Sequence, residues 1–105
     1  MSQINELISQ EVAKLIQGLF SDKQIVTVTG ADVSNDLRWA DIWISVYQGN
    51  EKAVLNTLEQ KKYDLQETLN RKIELKYVPK IKFKIDKTGR QVDKIQSILT
   101  KIKKN

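Results

Sequence analysis

The chain contains 105 residues, with no cysteine and no histidine, and has a formal net charge of +5. This length suits one domain with a modest core, and the two missing residue types exclude disulfides, thiolate nucleophiles, imidazole bases and the usual zinc ligands. Any catalysis would rest on carboxylates, lysines or hydroxyls, and no cofactor is expected.

The charge is distributed unevenly along the chain. Residues 1–60 contain four basic and eight acidic residues, for a net charge of −4, whereas residues 61–105 contain fourteen basic and five acidic residues, for a net charge of +9. This asymmetry favours a polyanionic partner, although lysines also commonly do no more than solvate exposed faces.

Apolar residues spaced three and four positions apart predict an amphipathic helix over residues 3–19. The start of this helix is polar at Asn5 and Glu6 and therefore lacks the unbroken apolar core of a signal peptide. No apolar run approaches membrane-spanning length. We therefore expect a soluble intracellular protein with no membrane partner, and these features leave the compartment otherwise open.

Two strands are predicted next. Residues 25–33 alternate valine and threonine and then loosen at Gly30-Ala31 in the manner of a β-bulge. Ser34-Asn35-Asp36 is typical of a turn, and residues 36–47 again alternate. The two strands should therefore form an antiparallel hairpin.

The second strand has two different faces. Mostly small and branched residues occupy one set of alternate positions and suit a buried face, while both tryptophans fall in the other set, which suits a wet or partner-covered face. The first set is Arg38, Ala40, Ile42, Ile44 and Val46, and the second is Trp39, Asp41, Trp43, Ser45 and Tyr47. Cross-strand packing explains the aromatic row most simply, and a contact surface for nucleic acid or protein is the alternative.

A helical region should follow Asn50, which is a good N-cap. Its apolar pattern falters at residues 60–63, and Asp64 with Glu67 three positions later resembles a capping box that opens a second helix. These features predict two helices joined by a kink near Tyr63. A single bent helix is the alternative.

Pro79 marks the start or the edge of a third strand because it has no amide proton for a strand ladder. After it, lysines at 80, 82 and 84 alternate strictly with apolar residues, so the lysines share one face. Apolar spacing after residue 89 predicts a last helix that ends in a basic tail.

These elements predict an α+β fold in one domain spanning residues 1–105, with a basic helix and tail at 89–105. The order is helix, strand, strand, helix, kink, helix, strand, helix. A helical crossover makes the second and third strands parallel, which gives a three-stranded mixed sheet with the helices packed on one face.

The sequence VTVTGADVSNDLRWADIWISV, from Val26 to Val46, together with LKYVPKIKF, from Leu75 to Phe83, resembles the ribosome-binding factor A family. The shared features are the Ser-x-Asp-Leu turn and the Val-Pro pair before the last strand, and the likeness spans nearly the whole chain. The resemblance implies a type II KH-like fold. Lys61-Lys62-Tyr63 stands where the family has a kink motif ending in glycine, and the start of the first helix lacks the family's arginines.

The resemblance also implies a function. Members are non-enzymatic ribosome assembly factors that bind the small ribosomal subunit and its 16S rRNA precursor near the 5′ end, assist late 30S maturation and rRNA processing, and matter most in the cold. At the positions that match the family pattern, the lysines of the kink and those of the third strand would face RNA. The segment that connects the kink to the third strand contributes three further cations. The expected RNA-binding residues are Lys61, Lys62, Arg71, Lys72, Lys76, Lys80, Lys82 and Lys84.

Two other classes of function compete with this expectation. One is a KH-like protein-interaction module that docks a partner on its aromatic sheet face. The other is a metal-dependent nuclease using Asp32, Asp36 and Asp41, which is disfavoured because Asp36 already serves the turn and no second carboxylate cluster lies nearby. We expect a monomer that is not an enzyme and has no small-molecule substrate.

Overall fold

The computed structural model describes residues 2–20, 25–47 and 49–87, so the helix and tail predicted at 89–105 lie outside the described residues. Within these ranges, no helix is long and apolar enough to cross a membrane. The elements are α1 (Ser2–Ile16), β1 (Ile25–Val33), β2 (Trp39–Tyr47), α2 (Glu51–Lys72) and β3 (Lys80–Ile85).

The three strands form one mixed sheet in the order β1-β2-β3. β1 and β2 are antiparallel, and β2 and β3 are parallel because α2 carries the chain back between them. The predicted hairpin, crossover and α+β class are therefore confirmed.

A β-bulge interrupts the pairing of β1 with β2 at Thr29, next to the predicted position Gly30-Ala31. The extra residue is held in place, because its hydroxyl donates a hydrogen bond of 2.8 Å to Oδ2 of Asp86. Asp86 is a buried carboxylate just after β3. The bulge therefore ties the first strand to the end of the last.

The core lies between one face of the sheet and the two helices. Ala40, Ile42 and Ile44 of β2 are fully buried, as predicted for that set of alternate positions, and Trp39 and Tyr47 of the other set are exposed. Arg38, of the set predicted to be buried, is instead exposed, because it lies before the start of the strand. The helices contribute Ile8, Val12, Ile16, Val54, Leu58, Leu65 and Leu69, and β3 contributes Ile81 and Phe83.

The first helix ends at Ile16, three residues before the predicted end. Backbone hydrogen bonds from Gln17 to Lys14 and from Leu19 to Ile16 span only three residues, which is the tighter spacing of a 3₁₀ turn. Gly18 lies within the second of these turns, and glycine is a poor helix former, so the early end has a local cause.

The second helix is continuous from Glu51 to Lys72, so the predicted division into two helices is wrong and this region forms one helix, as the single bent helix alternative requires. Asn50 is the N-cap as predicted, and its side chain accepts a hydrogen bond of 3.1 Å from the amide of Ala53. The capping-box interpretation of Asp64 is wrong, because Asp64 lies in the helix interior and Glu67 instead accepts a hydrogen bond from the hydroxyl of Tyr63 at 3.1 Å.

The buried stripe of α2 explains its continuity. Leu58 and Leu65 are seven residues apart, which is close to two helical turns, so the stripe resumes in phase after the polar interval. No glycine or proline interrupts residues 51–72. A break is therefore unnecessary for burying both halves of the helix.

Candidate nucleic-acid interface

The open face of the sheet carries the predicted lysine row beside the aromatic row. Along the parallel pair, Lys80 lies opposite Trp39, Lys82 opposite Asp41 and Lys84 opposite Trp43. Ile81 and Phe83 between them are buried against the helices, so the lysines point away from the core. The predicted gathering of tryptophans and lysines on one face is confirmed.

The lysine ammonium groups lie over the tryptophan rings. Nζ of Lys82 is 4.2 Å from the ring centroid of Trp39 and Nζ of Lys80 is 5.7 Å from it, while Nζ of Lys84 is 5.6 Å from the ring centroid of Trp43. These distances suit cation–π attraction. The face is therefore a mixed surface of rings and cations instead of a bare apolar patch.

Two carboxylates on the open face neutralise part of its charge. Oδ2 of Asp41 lies 3.1 Å from Nζ of Lys84, and Oδ2 of Asp32 accepts a hydrogen bond of 3.0 Å from the indole nitrogen of Trp43. Both pairs lie farther along β2 than Trp39. Of the three lysines in the row, Lys84 is the one paired with a carboxylate among the described residues, whereas Lys80 and Lys82 lie over Trp39.

The remaining predicted cations lie elsewhere. Lys61 and Lys62 belong to α2, which covers the opposite face of the sheet, and Nζ of Lys62 is 3.2 Å from Oε1 of Glu59. Arg71 and Lys72 are exposed in the last turn of α2. The eight predicted residues therefore form separate groups, of which the lysine row is one.

A groove of about 840 Å³ lies beside the start of β3. It is formed by the start of α1, the turn between β1 and β2, and the segment between α2 and β3. Two predicted cations, Lys76 and Lys80, line it, together with Arg38, which sequence reasoning did not select. The other lining residues are Ile4, Asp36, Leu37, Trp39, Leu75, Tyr77, Val78 and Pro79.

The turn that forms one wall of the groove is tightly hydrogen-bonded. The Ser34 hydroxyl donates to Oδ1 of Asp36 at 2.6 Å and accepts from the amides of Arg38 and Trp39 at 3.2 and 3.1 Å. The hydrogen bond from Ser34, followed by that from the Arg38 amide, lowers the pKa of Asp36 below its ordinary value of 3.8. The chain then passes through Leu37, which has a φ of 61°.

The three hairpin carboxylates considered as metal ligands have separate partners. Asp32 accepts from Trp43, Asp36 accepts from Ser34, and Asp41 pairs with Lys84. Among the described residues, no group of three or more carboxylate, cysteine or histidine side chains is arranged to hold a metal ion.

Comparisons with known proteins agree with this fold. Solved structures of similar shape include the crystal structure of ribosome-binding factor A from Thermus thermophilus, with a TM-score of 0.71, 19% identity and coverage of 79% of this chain and 92% of that one. A Thermus thermophilus ribosome-binding factor A homology model, fitted into a cryo-electron microscopy map of a 30S complex, gives a TM-score of 0.72 at 19% identity, covering 85% of this chain and 98% of that one.

Sequence comparisons cover nearly the whole chain. Ribosome-binding factor A of Clostridium tetani is 34% identical over 109 residues, covering 98% of this chain and 89% of the relative, and that of Brevibacillus brevis is 32% identical over 106 residues, covering 97% and 88%. The model of the family described as ribosome-binding factor A matches residues 1–99. This chain therefore belongs to the ribosome-binding factor A family.

Proposed function

We propose that this protein is a ribosome assembly factor that binds the small ribosomal subunit and its 16S rRNA precursor near the 5′ end and assists late 30S maturation and rRNA processing. The observation that carries the proposal is the family match over residues 1–99 in a chain whose open sheet face carries a lysine row. A Thermus thermophilus relative of the same fold has been fitted into a map of a 30S complex, which supports the choice of subunit.

The lysine row suits a phosphate backbone. The Cα atoms of three lysines on alternate positions of one strand are roughly 6 to 7 Å apart, so their flexible side chains can reach successive phosphates as point charges. Such contacts release counterions and supply affinity without reading the sequence. In this proposal the protein acts as a cytoplasmic monomer without cofactor or catalytic step, and the need for it is greatest in the cold.

Sedimentation of the purified full-length chain with isolated small subunits, large subunits and complete ribosomes tests the proposal. We expect co-migration with free small subunits and little with the other two particles. Mature and precursor-containing small subunits should be compared, because an assembly factor should favour the precursor. Absence from the small-subunit fraction would refute the proposed function.

A protein-interaction module is the second candidate, and the exposed rings of the open face favour it. Trp39 is 42% exposed and Tyr47 is 55% exposed. Apolar burial is screened little by salt, whereas phosphate contacts are screened strongly. Small-subunit binding that keeps its affinity as salt rises would therefore favour this candidate over RNA contact.

A further inference from the structure

We propose that the groove beside the start of β3 holds one unstacked base of a single-stranded RNA segment, with the neighbouring phosphates on Arg38, Lys76 and Lys80. This inference rests on the proposed function, because it names the part of the RNA that the protein would bind. It adds a subsite for a base, whereas the lysine row contacts the phosphate backbone of the RNA.

The groove is large enough for a base and has a suitable lining. Its volume of about 840 Å³ falls within the usual range of small-molecule sites. Trp39 and Tyr77 supply two aromatic rings, and Leu75, Val78 and Pro79 supply apolar surface. Proteins that recognise single-stranded RNA stack splayed bases on such rings.

The charge around the groove selects an anionic occupant. Among the described lining residues, Arg38, Lys76 and Lys80 accompany one carboxylate, Asp36, whose Oδ2 lies 3.7 Å from Nε of Arg38. Nζ of Lys76 is 5.7 Å from the ring centroid of Tyr77. Cations beside rings fit a nucleotide, in which a flat base adjoins a phosphate. Residues 88–105 contain five basic residues and one acidic residue, so that part of the chain has the wrong charge for this rim.

The groove wall is built before any ligand arrives. Leu37 adopts a φ of 61°, which is costly for a branched side chain and is stabilised here by the hydrogen-bonded turn around Ser34. This conformation leaves Leu37 37% exposed and lining the groove. An asparagine or glycine would suit that backbone better, so the apolar side chain is present at a cost in strain. A fixed wall lowers the ordering cost of binding.

The test uses the full-length chain and two fluorescent probes of the same length, an oligouridylate of about ten nucleotides and an abasic ribose-phosphate oligomer. Tyr77→Ala should weaken oligouridylate binding on the order of tenfold, because one stacked base is lost. Binding of the abasic oligomer should not change, since its charge contacts remain. Tyr77→Phe keeps the ring and should restore the affinity.

Two further variants separate binding from folding. Leu37→Gly removes the wall but relieves the backbone, so it should weaken oligouridylate binding without lowering Tm. Tyr47→Ala is the matched control, because Tyr47 is also an exposed tyrosine but lies at the far end of β2 from the groove. It should weaken oligouridylate binding less than Tyr77→Ala does, because it lies outside the groove. An oligomer containing 4-thiouridine should crosslink to Tyr77 or Trp39.

Several outcomes would overturn the inference. Equal effects of Tyr77→Ala and Tyr47→Ala, equal losses for the base-containing and abasic probes, or crosslinks away from the groove would each refute it. If Tyr77→Ala weakens co-sedimentation with small subunits but changes neither oligouridylate binding nor crosslinking, the groove holds a ribosomal protein and the RNA inference is wrong. If wild type fails to co-sediment with small subunits, the proposed function fails, whatever the two probes show about the groove.

Discussion

Adjacent residues of β2 meet opposite environments, which gives a sharp contrast at the scale of single side chains. Ile42 is fully buried against the helices, whereas Trp43 is half-buried on the open face. Ile42→Ala should lower the free energy of unfolding by about 2 to 5 kcal/mol, because it leaves a cavity in the core. Trp43→Ala should destabilise the fold less than Ile42→Ala does and should weaken RNA binding more.

Urea unfolding and binding to small subunits measure these two effects separately. The expected pattern is a large stability loss without a binding defect for Ile42→Ala, once the variant is studied at a temperature where it is folded. The reverse order of stability losses would mean that the faces of β2 are inverted.

The depressed pKa of Asp36 predicts a pH-dependent contribution to stability. Because the folded value lies below the ordinary 3.8, ionised Asp36 stabilises the fold above that pH, and this contribution disappears as pH falls through the folded pKa. Asp36→Asn keeps an acceptor for the Ser34 hydroxyl but carries no charge. The Tm difference between wild type and Asp36→Asn should therefore be constant from about pH 7 to 5 and should shrink below about pH 4.

Thermal unfolding across this pH range tests the assignment, with Asp64→Asn as the control because Asp64 is also an exposed acid but lies within α2. A Tm difference for Asp36→Asn that does not vary with pH would show that the charge of Asp36 contributes nothing to the turn.

At the scale of secondary structure, the start of α2 depends on one cap. Asn50→Ala removes the acceptor for the Ala53 amide and should lower the free energy of unfolding by about 0.5 to 2 kcal/mol, whereas Asn50→Asp should retain most of the stability. Asp64→Ala should have little effect, because Asp64 lies in the helix interior. Chemical denaturation of the three variants measures this, and a larger loss for Asp64→Ala than for Asn50→Ala would favour a helix start at Asp64.

Gln66 joins α2 to the outer edge of β3. Its Nε2 donates to the carbonyl of Pro79 at 3.0 Å and its Oε1 accepts from the amide of Ile81 at 2.8 Å, so one side chain imitates the paired hydrogen bonds of a neighbouring strand. Gln66→Ala should cost about 1 to 3 kcal/mol because two partly buried backbone groups lose their partners. Gln60→Ala, at an exposed position of the same helix, is the control for helix propensity. Equal unfolding free energies for the two variants would contradict this role.

Periodicity predicted the elements whose burial follows a simple repeat. The two faces of β2 and the alternation of β3 are of this kind, since each strand has one buried side. The false break in α2 arose because Lys61-Lys62-Tyr63 interrupts the apolar stripe, although the phase from Leu58 to Leu65 indicated continuity.

The groove could not be predicted in the same way. It joins Ile4, Leu37 and Tyr77, which come from three segments far apart in sequence, and no local repeat reports such a meeting. The turn signature and the Val78-Pro79 pair can be recognised in the sequence. The positive φ of Leu37 cannot, because leucine rarely adopts it. The Gln66 contact is similarly hidden, because a polar residue on a helix gives no sign of a strand partner fifteen positions later.

At the scale of the whole molecule, the residues that the structure describes do not separate into an acidic lobe and a basic lobe, although the charge is divided along the chain. β2 belongs to the acidic part and β3 to the basic part, yet the two strands are hydrogen-bonded neighbours. Asp41 and Lys84 pair across them at 3.1 Å. The described cations therefore lie on both faces of the sheet, and experiments on groups of lysines must locate the positive charge that binds RNA.

The salt dependence of rRNA binding distinguishes these groups. The logarithm of affinity should fall with the logarithm of salt concentration by roughly 0.7 to 0.9 per phosphate contacted. Lys80→Gln with Lys82→Gln should therefore lower the slope by about one to two units with little change in stability, because both side chains are exposed. Lys61→Gln with Lys62→Gln should lower it by about one or less, because Lys62 is already paired with Glu59. Lys14→Gln with Lys52→Gln is the control from the acidic part of the chain and should leave the slope unchanged. Equal slopes for all three double variants would mean that the lysine row is only a solvated surface and that the RNA is held elsewhere.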